Sequence, residues 1–299
     1  MKMIGREAEQ KILADYYESS RPEFVAVYGR RRVGKTFLIR EFFKNDFFFY
    51  VSGLAKSNAA EQLDNFNEAL IAYGADAEMV SRNWQAAFRN LKGLIQQSRS
   101  TDRKVIFLDE LPWFDTPKSK FLSAFEHFWN EFASSRPDIL LIVCGSATSW
   151  IIKNLINDRG GLHNRLTGHL SLEPFSLREC EAYYKEAGIV MTRYSIAEAY
   201  MIFGGIPYYL SLMKRNLSLP QNVDAMCFAK NAELRMEFAR LYSSLFVHSE
   251  LHIAIVRALA EHASGVTRDE LARILGLSDG GGFTKTLGEL EQCGFIRLK

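Results

Sequence analysis

The run Gly29-Arg30-Arg31-Arg32-Val33-Gly34-Lys35-Thr36 constrains this chain more than any other stretch of it. It matches the pattern GxxxxGK[ST] at every fixed position. It follows an apolar run at residues 24–28 and precedes a helix-patterned stretch at residues 36–43. Strand, glycine-rich turn and helix in that order make a cradle for phosphate. The glycines let successive backbone N–H groups turn inward around the anion, and the helix N-terminus adds a favourable dipole. Lys35 supplies a point charge to the β- and γ-phosphates, and the Thr36 hydroxyl is a ligand for Mg²⁺. Three roles are open to each of Arg30, Arg31 and Arg32: nucleotide capture, contact with a neighbouring subunit, or plain solvation.

Such a loop belongs at the edge of a parallel sheet, and the first 175 residues read as one. Apolar runs at 24–28, 47–51, 104–108, 139–144 and 169–172 alternate with helical patterns at 36–43, 59–73, 84–98, 118–132 and 148–156. Continuous hydrophobic strands are expected where helices cover both faces. After Pro174 only helical periods remain, at 177–187, 195–203, 208–213 and 232–246, with a break at Leu217-Ser218-Leu219-Pro220. From residue 249 three short helices follow, at 251–262, 268–275 and 283–293, and residues 295–298 begin a strand. Thr267 and Glu270 form a capping box at the second of these helices. The expected fold is therefore α/β: a parallel-sheet P-loop NTPase core (1–175), an all-α lid domain (176–248) and a C-terminal winged helix (249–299). Its wing would continue past Lys299, so a further C-terminal region is expected.

The apolar strand Val105-Ile106-Phe107-Leu108 ends in Asp109-Glu110. Asp109 stands where a Walker B aspartate holds Mg²⁺, and Glu110 is placed to polarise an attacking water as general base. The run at 47–51 lies between the loop and this acidic pair, which suggests an ATPase class in which an extra strand separates the two in the sheet. No NKxD guanine-recognition motif occurs. Ser146 follows the next strand, where a polar side chain can reach the γ-phosphate or hold the lytic water; Thr148 is its substitute. Arg159 and Arg165 precede the fifth strand, where an arginine can stabilise transition-state charge in a neighbouring subunit or simply be solvated.

Composition narrows the remaining classes. With 299 residues, 47% hydrophobic and 24% charged, the chain is ordinary globular material. A formal net charge of +2 gives no global polybasic signature for nucleic acid or anionic membrane. Cys144, Cys180, Cys227 and Cys293 are scattered, without a CxxC pair, as expected of reduced thiols in the cytoplasm. No apolar run approaches the length of a membrane span. Between residues 250 and 299, six basic residues face seven acidic ones, and Lys285 on the third helix opposes Glu289 and Glu291. That balance favours protein contact or lid regulation over DNA for this segment and leaves both open.

The whole chain resembles the archaeal-type ATPases, a branch of the AAA+/STAND P-loop ATPases. The matching pieces are Ile4-Gly5-Arg6-Glu7, Val27 to Thr36, Phe107-Leu108-Asp109-Glu110, Cys144-Gly145-Ser146, Leu172-Glu173-Pro174-Phe175 and Gly204-Gly205-Ile206-Pro207-Tyr208-Tyr209-Leu210. The resemblance implies ATP and Mg²⁺, with ADP as product and a homo-oligomer as a possible state. Glu110, Ser146 and Arg165 would be catalytic, and Thr36 and Asp109 would hold the metal. Nucleotide would be held by Ile4, Gly5, Arg6, the loop from Gly29 through Arg30, Arg31, Arg32, Val33, Gly34, Lys35 and Thr36 to Phe37, and Gly205 and Pro207. Without the resemblance, residues 204–207 read as a helix stop before another helix. His163 and Asn164 depart from the family's usual residues before Arg165, which affects the loop shape. Many relatives continue into a nuclease-like domain, of which these residues contain nothing.

Overall fold

Five short apolar stretches pair side by side in parallel, in the order β2-β3-β4-β1-β5. The computed structural model describes residues 3–157, 161–162, 164–246, 249–262 and 264–298. By internal contacts the chain divides into two units. The first comprises Met1–Gly29, Gly34–Ser146 and Trp150–Leu172; the second comprises Arg30–Val33, Ala147–Ser149 and Glu173–Lys299.

In chain order the first unit contains α1 (Glu7–Glu18), β1 (Glu23–Tyr28), α2 (Lys35–Phe42), β2 (Phe49–Ser52), α3 (Ala59–Ala72) and α4 (Trp84–Gln97). There follow β3 (Lys104–Asp109), α5 (Phe121–Glu131), β4 (Ile139–Gly145), the last residues of α6 (Thr148–Ile151), and β5 (Gly168–Ser171). Residues of β3 and β4 are buried on both faces, as their uninterrupted apolar runs require. One face packs on α3, α4 and α5 through an aromatic cluster. Phe66 lies 5.5 Å from both Trp84 and Phe88, and Trp84 meets Phe121 edge-on at 4.8 Å. Such pairs add about 0.5–1.5 kcal/mol each beyond their buried area.

Two devices fix where these elements begin. Asn58 caps α3 with a full capping box to Glu61, and Asn83 caps α4 through the Ala86 N–H. The helix expected at 118–132 begins only at Phe121, because Lys118 and Lys120 both take positive φ. The pattern at 148–156 is a short α-turn that widens into a π-turn over Ile152–Ile156. As expected, an extra strand separates the loop's strand from that of the acidic pair in the sheet: β4 lies between β1 and β3, and the run at 47–51 forms β2 at the sheet edge.

The second unit is helical: α7 (Leu177–Glu186), α8 (Arg193–Phe203), α9 (Pro207–Ser211), α10 (Leu219–Val223), α11 (Glu237–Leu245), α12 (Glu250–Ala260), α13 (Arg268–Ile274) and α14 (Gly281–Gln292). The break expected at 217–220 lies between α9 and α10, and its last two residues open α10. Ser218 forms a capping box with Gln221, and Pro220 sits in the first turn, where its missing N–H costs nothing. Tyr242 and Phe246 pack into a core with Ile255, Leu271, Phe283, Leu287 and Leu290 from α12, α13 and α14. Residues 295–298, expected to open a strand, join no ladder among the described residues. The Phe295 N–H is instead spent on the Leu290 carbonyl, closing α14 around Gly294 at φ 71°. No helix of the described residues is long and apolar enough to cross a membrane.

Candidate active site

The first unit brings Lys35, Thr36, Asp109, Glu110 and Ser146 together at the carboxyl edge of the sheet, where α/β proteins bind ligands. β1 ends at Tyr28, β3 at Asp109 and β4 at Gly145, so three parallel strands deliver their following residues to one edge. Gly29 leaves β1 at φ 139°, and a Cβ there would stand 2.3 Å from the Leu172 carbonyl oxygen. Only glycine fits. Gly34, at φ 92°, has open space around it and is required for its conformation alone, as the N-cap of α2.

Lys35, first residue of α2, is only 4% exposed. Its ammonium donates to the Gly29 carbonyl at 3.0 Å and to the Ser146 hydroxyl at 3.2 Å. Ser146 in turn donates its hydroxyl to Glu110 Oε1 at 2.7 Å and its backbone N–H to Oε2 at 3.1 Å. A continuous polar chain thus joins the loop's lysine to the glutamate through one serine. Glu110 itself is in the left-handed region at φ 47°. The turn after it is clamped by two glycines: a Cβ at Gly53 would meet the Glu110 carbonyl oxygen at 2.7 Å, and one at Gly145 would meet Pro112 at 2.6 Å.

Thr36 Oγ1 lies 3.1 and 3.0 Å from the two oxygens of Asp109. Asp109 is 4% exposed, and burial pushes its carboxyl above the ordinary carboxylate range against the opposing pull of its donors. Those donors are the Cys144 thiol at 2.6 Å, the Thr36 hydroxyl and the Glu110 N–H at 2.9 Å. The Cys144 thiol, buried on β4, has its own pKa raised by desolvation and by the Asp109 charge. A buried carboxylate beside a hydroxyl is a hard-oxygen set that suits Mg²⁺, which takes one or two protein ligands and keeps the rest as water and phosphate. Among the described residues no cluster of three or more His, Cys, Asp or Glu forms an all-protein metal cage.

The remaining expected residues are distributed more widely. Ile4, Gly5 and Arg6 precede α1, which packs against α2; Gly5 and Arg6 both have φ 66°, and Arg6 pairs with Glu9 at 3.0 Å. Phe37 on α2 and Arg165 before β5 are exposed. Arg159 and His163 lie outside the described residues. Arg30–Val33 belong by their contacts to the second unit, as do Gly205 and Pro207. Gly205, at φ 68°, is fixed by the Phe175 carbonyl 2.2 Å from where a Cβ would sit, and Pro207 opens α9. Arg30 lies 5.2 Å over the Phe295 ring. Arg32 pairs with Glu237 at 2.9 Å and stacks 3.9 Å over Tyr208. Neither of these contacts is foreseen by reading the arginines as capture groups, subunit contacts or solvated charges.

A family model described as an ATPase domain predominantly from Archaea matches residues 3–213. An uncharacterized protein of Methanocaldococcus jannaschii is 27% identical over 292 residues, which cover 96% of this chain and 61% of that protein. The Walker-type ATPase of Pyrococcus abyssi superposes with a TM-score of 0.73 at 19% identity, over 99% of this chain and 91% of that one. The Aeropyrum pernix ORC2 protein, in its ADPNP–ADP complexes, gives 0.60 at 15% identity, over 100% and 88% of the two chains. At these identities the two solved structures share the fold.

Proposed function

Because the chain belongs to the family of ATPase domains found predominantly in Archaea, we propose that it binds ATP with Mg²⁺ and hydrolyses it to ADP and phosphate. The observation that carries the reading is the serine bridge: one hydroxyl, that of Ser146, contacts both the Lys35 ammonium and the Glu110 carboxylate. No structural need calls for a buried lysine and a glutamate to converge on the end of β4, whereas phosphoryl transfer calls for a cation and a base at that spacing. Thr36 and Asp109 would hold Mg²⁺, which when bound would supply charge neutralisation to the phosphates. The Lys35 ammonium balances the phosphates. Glu110 takes the proton of the attacking water, and Ser146 orients Glu110. Arg165, exposed as a donated arginine must be, would stabilise charge in a neighbouring copy, and Gly205 and Pro207 would serve the nucleotide from the lid. Lid and winged-helix movement coupled to nucleotide state completes the proposal.

A second reading, a nucleotide-gated protein- or DNA-binding module with slow turnover, is favoured by one detail. Both oxygens of Glu110 accept from Ser146, and hydrogen bonds to the charged carboxylate weaken it as a base for water. Steady-state phosphate release tests both readings. Glu110→Gln keeps ATP binding and loses turnover by about 10²–10⁴-fold, the range for a general base. Unchanged phosphate release would remove Glu110 from the mechanism, and negligible release by the unaltered protein would favour the gated module.

A further inference from the structure

The chain leaves β3 after Asp109 and β4 after Gly145, and the two departing segments meet three times. At the strand ends, Ser146 donates to both oxygens of Glu110, at 2.7 and 3.1 Å. One step out, Pro112 lies against Gly145, where a Cβ would stand 2.6 Å from the proline ring. Farthest out, the Trp150 indole N–H donates to Asp115 Oδ2 at 3.1 Å. All six residues belong to the first unit. Glu110 is a non-glycine residue in the left-handed region, at φ 47°. Such a conformation persists where surrounding contacts over-determine it. The turn that follows, Leu111–Trp113, is fixed on one side by Leu111 and Phe114, both fully buried, with Phe114 5.6 Å from Trp84 and 5.4 Å from Phe121. On the β4 side it is held by Pro112 and Asp115. The proline contact is non-directional, whereas a hydrogen bond selects one seating of the turn. Trp150 is a firm anchor for that bond, since it packs against the same core and Ile151 beside it is fully buried. Asp115 is half-buried, and among the described residues the indole is the one hydrogen-bond donor to its carboxyl.

We infer that Asp115 is a positioning residue for the proposed hydrolysis: by accepting from Trp150 it holds the turn that begins at Glu110 against the segment that begins at Ser146, and so sets the reach of the base. The inference rests on the reading of Glu110 as general base and Ser146 as its orienter. Asp115 touches neither nucleotide nor water; it acts through Glu110, five residues before it in the chain, as Trp150 acts through Ser146, four residues before it.

The test is a double-mutant cycle on steady-state phosphate release by the full chain, with Asp115→Ala, Ser146→Ala and the pair. Asp115→Ala lowers kcat about tenfold, the scale of a small misplacement at a reacting group. KM for ATP stays within about twofold, because Gly34, Lys35 and Thr36 are untouched. Calorimetric titration of ATP·Mg²⁺ into the same variant gives the stoichiometry of the unaltered protein, so the loss is not one of folded fraction. In the Ser146→Ala background the same substitution costs less than about twofold, since the contact it positions is already gone. Asp115→Asn keeps the acceptor and returns kcat to within about threefold of the unaltered protein. Trp150→Phe removes the donor and keeps a ring; it lowers kcat in the same direction and serves should Asp115→Ala fail to fold. Effects that multiply in the double variant, or a stoichiometry that falls in proportion to kcat, would make Asp115 merely structural and overturn the inference. So would an unchanged kcat in Asp115→Ala or Trp150→Phe, with the hydrolysis reading left standing. Absence of phosphate release by the unaltered protein would instead overturn the hydrolysis reading, and this inference with it.

Discussion

Cys144 shows how much a single buried side chain can matter to a site it does not line. Its thiol donates to Asp109 at 2.6 Å and fixes the carboxylate that also faces Thr36. Outer partners that orient a metal-holding carboxylate typically carry one to two orders of magnitude in affinity or activity. Cys144→Ala is therefore expected to raise the Mg²⁺ concentration needed for half-maximal turnover by about tenfold while leaving the nucleotide-binding fold intact, and a Mg²⁺ titration of phosphate release checks it. The convergence of Lys35, Thr36, Asp109, Glu110 and Ser146 was legible in sequence: Asp109 ends β3, Glu110 and Ser146 directly follow β3 and β4, Lys35 and Thr36 open the helix after the loop that leaves β1, and parallel strands deliver their ends to one edge. Cys144 was not legible as a partner of Asp109, because that contact depends on the register of β3 against β4, with Leu108 beside Val143. Arg32 and Glu237 were harder still: no local pattern links a loop arginine to the first residue of a helix far along the chain.

Elements were legible where burial dictated an unbroken apolar run, and less so where local backbone chemistry decided. All five strands lie within two residues of their expected bounds. The presence of a separating strand in the sheet was legible as well, though not which one: β2 lies between the loop and the acidic pair along the chain, and β4 lies between their strands in the sheet. The helix α1 carries little sequence signal because it buries only Leu13 fully and lacks a broad apolar stripe. A prediction of this scale concerns the start of β4. Asp138 accepts from Arg136 at 2.7 and 2.8 Å and from Lys104 of β3 at 2.9 Å. Arg136, with Lys104, holds its carboxyl well below the usual range despite partial burial. The folded state thus binds this proton more weakly than the unfolded chain. The resulting stabilisation is complete above the unfolded value of about 3.9 and is lost as pH falls toward the folded value. Solvent screening limits it to about 1 kcal/mol. Urea unfolding should show Asp138→Asn less stable by that amount at pH 7, with the difference shrinking at pH 3.

At the scale of the whole molecule, a sheet-based unit contains Lys35, Thr36, Asp109, Glu110 and Ser146, and a helical unit contains the arginines of the loop and the C-terminal cluster. Six basic residues against seven acidic ones in residues 250–299 give that cluster little attraction for a polyanion. Adding duplex DNA is accordingly expected to change the ATPase rate by less than about twofold at physiological salt; a salt-sensitive stimulation would point to DNA as the partner. The chain spans about 61% of the length of its curated relative, and what the whole protein acts on is a proposal for that full length. The proposed function requires that the glycines, lysine and threonine of the loop hold a triphosphate. Isothermal titration of ATP·Mg²⁺ into the unaltered protein and into Lys35→Ala tests this most directly. Saturable heat with the unaltered protein, and a loss of affinity of at least about a hundredfold in Lys35→Ala, is the predicted result. No heat with the unaltered protein, or equal affinity in the two, would contradict it.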